Sequence, residues 1–254
     1  MTEHVIAHQI DAVLELRLAR PEKKNALHNA MYGALADALA KAQEDGSVRC
    51  VLLSAEGGDF TAGNDLADFA AIGTGALALE ARHVGRFLKQ LALAQKPLIA
   101  AVQGQAVGIG CTMLLHCDLV YVAPDARLTT PFCNLGLVPE AASSLLLPAR
   151  IGHARAYAMF ALGEAISGQE AVSIGLANAA FPADQLREAA LQRARQLASR
   201  APGALSATKA LLRDAGQIAA QMEREGKVFE QRLVSAEARE AFSAFLQKRA
   251  PVFH

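Results

Sequence analysis

The chain has 254 residues, 25 Lys+Arg against 25 Asp+Glu, and 52% hydrophobic side chains. A chain that apolar is not intrinsically disordered, and its length suffices for one large domain or two small ones around a substantial core. The balanced charge excludes a general binder of nucleic acid or anionic membranes, which needs a basic excess, yet leaves room for a local basic patch around a small anionic ligand.

HVIAHQI and AVLELRLA alternate in polarity and predict two strands joined around Asp11. Leu27 to Gln43 predicts a helix with Leu35, Leu39 and Ala42 on one face. Cys50 to Ser54 is a short apolar run, expected as a strand buried on both sides. EGGDFTAGND follows as a glycine-rich loop; helices are expected from about Asp65 and over about Ala76 to Ala94. Pro97 to Val102 predicts a strand, and Gly104 to Gly110 a loop running into a helix that ends near His116. Leu119 to Val122 predicts another strand. The uncharged stretch Pro97 to Leu115 has the length of a membrane span, but Pro97, Gln103, Gly104, Gln105, Gly108 and Gly110 break both its apolarity and its helix. Recurring strand–loop–helix units give an α/β class, and from Ala183 onward the pattern is helical and amphipathic. Cys50, Cys111, Cys117 and Cys133 show no CxxC spacing and are expected as reduced core thiols, which suits a cytoplasmic protein. The N-terminus lacks the basic-then-apolar layout of a signal peptide.

Several segments carry candidate chemistry. Gly104, Gly108 and Gly110 in GQAVGIG lack the GxGxxG spacing and sit mid-chain, against a dinucleotide site. A glycine turn before a helix exposes backbone N–H groups that hold a developing anion; the alternative is a tight turn that only packs closely. DFTAGND has the same physics, with a capped surface loop as its alternative. Two such loops, each after an apolar strand, suggest a two-donor oxyanion hole. Ser143, Ser144, His116 and His153 lack the GxSxG elbow of a serine hydrolase, and the seven histidines form no HExxH pattern, so no metal site is expected. The run Arg187 to Arg200 is expected as a solvated helix face. Glu140 opens an apolar helix in LGLVPEAASSLLLP. It either complements the helix dipole or, desolvated among Leu137, Val138 and Leu145 to Leu147, has the raised pKa of a general base.

Together these segments resemble the crotonase superfamily, the acyl-CoA enzymes that include enoyl-CoA hydratases and isomerases. The motifs are RPEKKNAL, FTAGNDLADF, QGQAVGIGCTMLLHCDLVYVAPDARL, PFCNLGLVPEAASSLLLPARIG and AFLQKR, in that order over nearly the whole chain. The resemblance implies a spiral of ββα units over 1–198 and a helical trimerisation region over 199–254, in a homotrimer or hexamer. It implies oxyanion N–H groups at Asn64 and Ile109. It also implies coenzyme A contacts along Lys24 to Ala26 and Ala62 to Leu66, Asp65 among them, with Phe229 and Lys248 approaching across subunits. Coenzyme A would be part of the substrate, with no separate cofactor, and Lys23, Lys24, Lys248 and Arg249 would supply local positive charge. The two glutamates of hydratases are replaced by Thr112 and Phe132. GNDL with PFxxLGLVPEAxSS looks most like monofunctional Δ3,Δ2-enoyl-CoA isomerases, whose sole base stands at Glu140. The alternatives are hydration, or another crotonase reaction, with Asp65 or Asp68 as base, and an acyl-CoA binding protein without activity.

Overall fold

The computed structural model describes residues 2–65, 68 and 82–253. Two sheets organise them. β1 (Val5–Ile10) and β2 (Val13–Leu18) form an antiparallel hairpin that turns at Asp11, whose φ is 54°. β2 then pairs in parallel with β3 (Cys50–Ala55), β3 with β4 (Leu98–Val102), β4 with β6 (Leu119–Val122), and β6 with β9 (Ala179–Ala180). The smaller sheet is β5 (Gln105–Val107), β7 (Arg127–Thr129) and β8 (Ile166–Ser167), with β7 in the middle.

All of β4 and five of the six residues of β3 are buried, as their unbroken apolar runs require of strands covered on both faces. α1 (Asn29–Glu44) packs against α2 (Val84–Leu93), and α7 (Ala183–Ala198) lies across β3 and β4. Glu15, inside β2, is buried. Burial pushes its pKa up, but bonds from Arg187 (2.7 and 2.6 Å) and from Ser54 Oγ (2.7 Å) outweigh this and hold it below the usual carboxylate range. Arg187 therefore departs from the expectation of a wholly solvated basic face: it reaches back to neutralise a core carboxylate.

Two other expectations need correction. Gly104 to Gly110 is not all loop, because β5 forms within it and Thr61 bridges to Ala106. The helix after it is one α-turn, α3 (Ile109–Thr112), continued by a 3₁₀ turn over Met113–His116. Of the cysteines, Cys50, Cys111 and Cys117 are buried but Cys133 is exposed. The helix expected from Asp65 and the first part of the one over Ala76 to Ala94 lie outside the described residues.

α4 (Ser143–Ile151), α5 (His153–Tyr157) and α6 (Gly168–Ser173) lead to α7. The chain ends in α8 (Pro202–Leu212), α9 (Ala215–Leu233) and α10 (Ala236–Leu246). Asp214 caps α9 by accepting from the Gln217 N–H, and Ser235 caps α10 by accepting from the Ala238 N–H. α9 packs on α2 and α4, so a late segment closes over the middle of the chain. Among the described residues no helix is long and apolar enough to cross a membrane.

Candidate active site

The two glycine-containing loops are sewn into one unit. The Thr61 N–H donates to Gln105 O (2.9 Å), and the Val107 N–H donates to Thr61 O (3.0 Å). Gly63 has φ 89°, and a Cβ there would stand 2.7 Å from Val107 O, so the two strands of backbone approach as closely as only glycine permits. Segment 24–27 joins from the other side: the Ala62 N–H donates to Lys24 O, the Leu27 N–H to Gly63 O, and the Asp65 N–H to Leu27 O (2.8–2.9 Å). Asn25, fully buried with φ 54°, pins the assembly by donating from Nδ2 to Glu56 O and Asp59 O.

Within this unit the bridge between Leu27 and Asn64 uses the amides of Leu27 and Asp65, not that of Asn64. Gly108 (φ 56°) ends β5 and turns the chain into α3, leaving Ile109 as its first residue, where a helix has no internal acceptor. Among the described residues neither the Asn64 nor the Ile109 N–H has an acceptor. The Asn64 side chain is fixed from below, where buried Tyr32 donates from Oη to Asn64 Oδ1 at 2.6 Å. Burial first, and the negative charge of Glu140 second, push the Tyr32 hydroxyl well above its usual pKa, so it remains a donor.

A cavity of about 480 Å³ opens beside Asn64, walled by α2 and α9. Glu140 lines it. Burial raises its carboxyl to about 7; the Thr112 Oγ1–H, donating to Oε1 at 2.5 Å, opposes that rise, and the Glu225 charge adds to it. Thr112 ends the single turn that Ile109 begins, a rise of about 5 Å, so one short helix connects an amide donor to the carboxylate.

Glu140 is followed by Ala141 (φ 61°) and Ala142 (φ 55°), two alanines in the left-handed region. Distant side chains hold that turn. Glu225 of α9 accepts from the Ala142 N–H (2.6 Å), the Ser144 N–H (2.9 Å) and Ser144 Oγ (2.5 Å). The His116 ring, neutral because burial and the Arg213 charge depress its pKa to about 3, donates from Nε2 to Ala141 O (2.8 Å) and accepts from Arg213 at Nδ1. Ser143 and Ser144 start α4, Ser144 is bonded to Glu225, and His153 stacks on Tyr157, so no serine–histidine pair assembles.

The sequence-expected contact residues divide. Lys24, Ala26, Ala62, Asn64 and Asp65 meet in the sewn unit; Lys24 is exposed, 3.9 Å from Asp59. Leu66 lies outside the described residues. Asp65 pairs with Arg20 (2.7 Å), and Asp68 accepts from the Asn29 N–H at the start of α1 (2.6 Å). Phe229, expected at a coenzyme A site across subunits, lines this chain's cavity, where α9 packs on α2. Lys248 is exposed and does not line this cavity. Phe132 is buried, its ring 6.0 Å from that of Phe160.

A sequence model described as enoyl-CoA hydratase/isomerase matches residues 8–254. The chain belongs to this family. It is 36% identical to the 2,3-dehydroadipyl-CoA hydratase of Escherichia coli, over 100% of this chain and 99% of that protein. It is 35% identical to the 1,2-epoxyphenylacetyl-CoA isomerase of Escherichia coli, again over 100% and 99%. The crystal structure of an enoyl-CoA hydratase/isomerase from Pseudoalteromonas atlantica superposes with a TM-score of 0.93 at 44% identity, covering 99% of this chain and 100% of that one. The two sheets and the closing helices are thus those of a crotonase-type enzyme. Family membership does not select the reaction, since a hydratase and an isomerase are nearly equal in likeness.

Proposed function

We propose that the protein is a Δ3,Δ2-enoyl-CoA isomerase with Glu140 as its only acid/base group. The observation that carries this reading is Glu140 itself: a carboxyl raised to about 7, held by Thr112, in the wall of the cavity that Asn64 also lines. A base works best with a pKa near the operating pH. In a 3-enoyl-CoA, ionised Glu140 takes a C2 proton, and the electron pair moves into the thioester carbonyl. The Asn64 and Ile109 N–H groups hold the resulting oxyanion. The same carboxyl then returns the proton at C4 as the double bond settles between C2 and C3. One proton leaves and one returns, so no ordered water is needed.

Hydration needs a second group to place the water. Thr112 is bonded to Glu140, Phe132 offers no polar atom, and Asp65 and Asp68 are committed to Arg20 and the start of α1. The reading is a role in the degradation of fatty or related acyl-CoA thioesters, in the cytoplasm. Leu211, Leu212, Phe245 and Leu246 are exposed large apolar residues on the last helices and favour a homotrimer or a pair of trimers. A monomer on light scattering would remove the assembly part of the reading.

The deciding experiment supplies one purified sample with 3-enoyl-CoA and with 2-enoyl-CoA. Conjugation of the first, with no 3-hydroxyacyl-CoA formed from the second, is expected. Rapid hydration of the second would overturn the assignment, and binding without turnover of either would make the protein a carrier of acyl-CoA.

A further inference from the structure

The cavity beside Glu140 is not apolar throughout. Leu88 and Phe229 give it greasy walls, but Arg82 and Lys89 on the α2 side and Glu223 and Glu230 on α9 also line it. Among the described residues none of these four charged groups closes an ion pair within 4.0 Å, and the Arg82 guanidinium has no hydrogen-bond acceptor. Lys89, Glu223 and Glu230 are exposed, so water satisfies them; Arg82 is only partly exposed. Burial pulls its pKa below the ordinary arginine value, against the opposing pull of Glu230 and Tyr32. A guanidinium stays protonated regardless, with five donors in a planar fork. A cation partly stripped of water, in a ligand cavity and without a bonded carboxylate among the described residues, matches a carboxylate carried by the ligand.

Position gives the match its meaning. The reacting carbons must lie at Glu140, with the thioester oxygen at Asn64 and Ile109. Arg82 enters the cavity just before α2 and Glu140 from the turn before α4, so the cation and the base reach the ligand from different elements. We infer that the cavity selects acyl-CoA thioesters whose chain ends in a carboxylate, which Arg82 receives through paired N–H···O bonds. The inference takes from the proposed function only the point where the acyl tail begins.

Binding, rather than turnover, tests it. Calorimetric titration would compare adipyl-CoA with hexanoyl-CoA, two saturated thioesters of equal carbon count that differ at the chain end. The intact protein is expected to bind adipyl-CoA about 10-fold or more tightly, the scale of a hydrogen bond to a charged group. Arg82→Ala should erase that preference while leaving hexanoyl-CoA affinity unchanged, which also shows that the variant is folded. Arg82→Lys should restore part of it, since an ammonium lacks the fork. Equal binding of the two ligands by the intact protein would overturn the inference. So would an Arg82→Ala loss shared by both, which would assign Arg82 to the coenzyme A moiety. A retained, Arg82-dependent preference in a protein that fails to isomerise 3-enoyl-CoA would support the tail site and overturn the isomerase reading alone.

Discussion

The two halves of the candidate site are built from different materials. The anion side is backbone: the Asn64 and Ile109 amides, oriented by hydrogen bonds among segments 24–27, 61–65 and 105–109 and by the close approach at Gly63. The carboxylate side is side chain: Glu140 stands on a turn of two left-handed alanines, kept in place by Glu225, 85 positions later, and by the His116–Arg213 pair. Backbone donors belong to every residue type but proline, so the anion side tolerates any other substitution that leaves the chain path alone. The carboxylate side depends on particular atoms from separate elements, and it is where acidity is tuned. Substitutions that disturb each half in its own way can therefore test the contrast.

Glu140→Gln should give the largest effect. Loss of a general base removes about 10²–10⁴ in kcat, and acyl-CoA affinity should survive. The same change should stabilise the fold. A carboxyl whose folded pKa is raised binds more protons folded than unfolded between its unfolded value near 4.5 and its folded value of about 7. The native protein therefore loses stability as pH rises through that window, and the glutamine variant does not. Melting curves at pH 5 and pH 8 should show the variant's advantage growing with pH, by about 1–3 kcal/mol at pH 8. Equal melting at both would mean that Glu140 is well solvated. Next in size is Gly63→Ala, which leaves every polar side chain in place. Its Cβ would meet Val107 O at 2.7 Å and part the two loops. Displacing one oxyanion donor lowers kcat by about 10²–10³. Little change in kcat would show that the anion side is not a rigid backbone device.

The same contrast governs what could be read from sequence. The anion side is local, so GNDL and GQAVGIG announce it through small residues after apolar strands. Glu140 is legible too, as one carboxylate in an apolar run. Glu225 is not found by any motif, although its position leaves a trace: Ile218, Met222, Glu225 and Phe229 share one stripe of α9, and a glutamate on an apolar stripe must have a buried partner. Tyr32 and Arg213 leave none, because a tyrosine inside a helix and an arginine after one are equally at home in structural roles. Phe229 lies on the same stripe, and periodicity shows which face of α9 is apolar, not which surface covers it.

Glu225→Gln comes third. One amide oxygen cannot accept all that the carboxylate does from Ala142 and Ser144, and a buried donor left unpaired costs about 1–3 kcal/mol. Loosening of the Glu140 turn should lower kcat roughly tenfold, on the scale of 1.4 kcal/mol of misplacement. The charge effect separates this from simple destabilisation. Glu225 raises the Glu140 pKa, so its neutralisation should move the acid limb of the kcat/KM profile to lower pH. A destabilised protein with an unmoved limb would restrict Glu225 to capping α4.

Thr112→Val should be the mildest and the most diagnostic. The side chain is fully buried and valine keeps its shape, so packing is preserved. What disappears is the hydroxyl that donates to Glu140 Oε1 and favours the ionised carboxylate. The Glu140 pKa should then rise, and the acid limb should move to higher pH, opposite to the shift from Glu225→Gln. Below pH 7 kcat/KM should fall several-fold, on the scale of about 0.5–1.5 kcal/mol for one hydrogen bond, and most of it should return at pH 9, where the carboxyl ionises regardless. A loss equal at every pH would mean that Thr112 only aims Glu140. Shifts of opposite sign in the two variants would show that the carboxylate side is a tuned acid, set between a donor on α3 and a negative charge on α9.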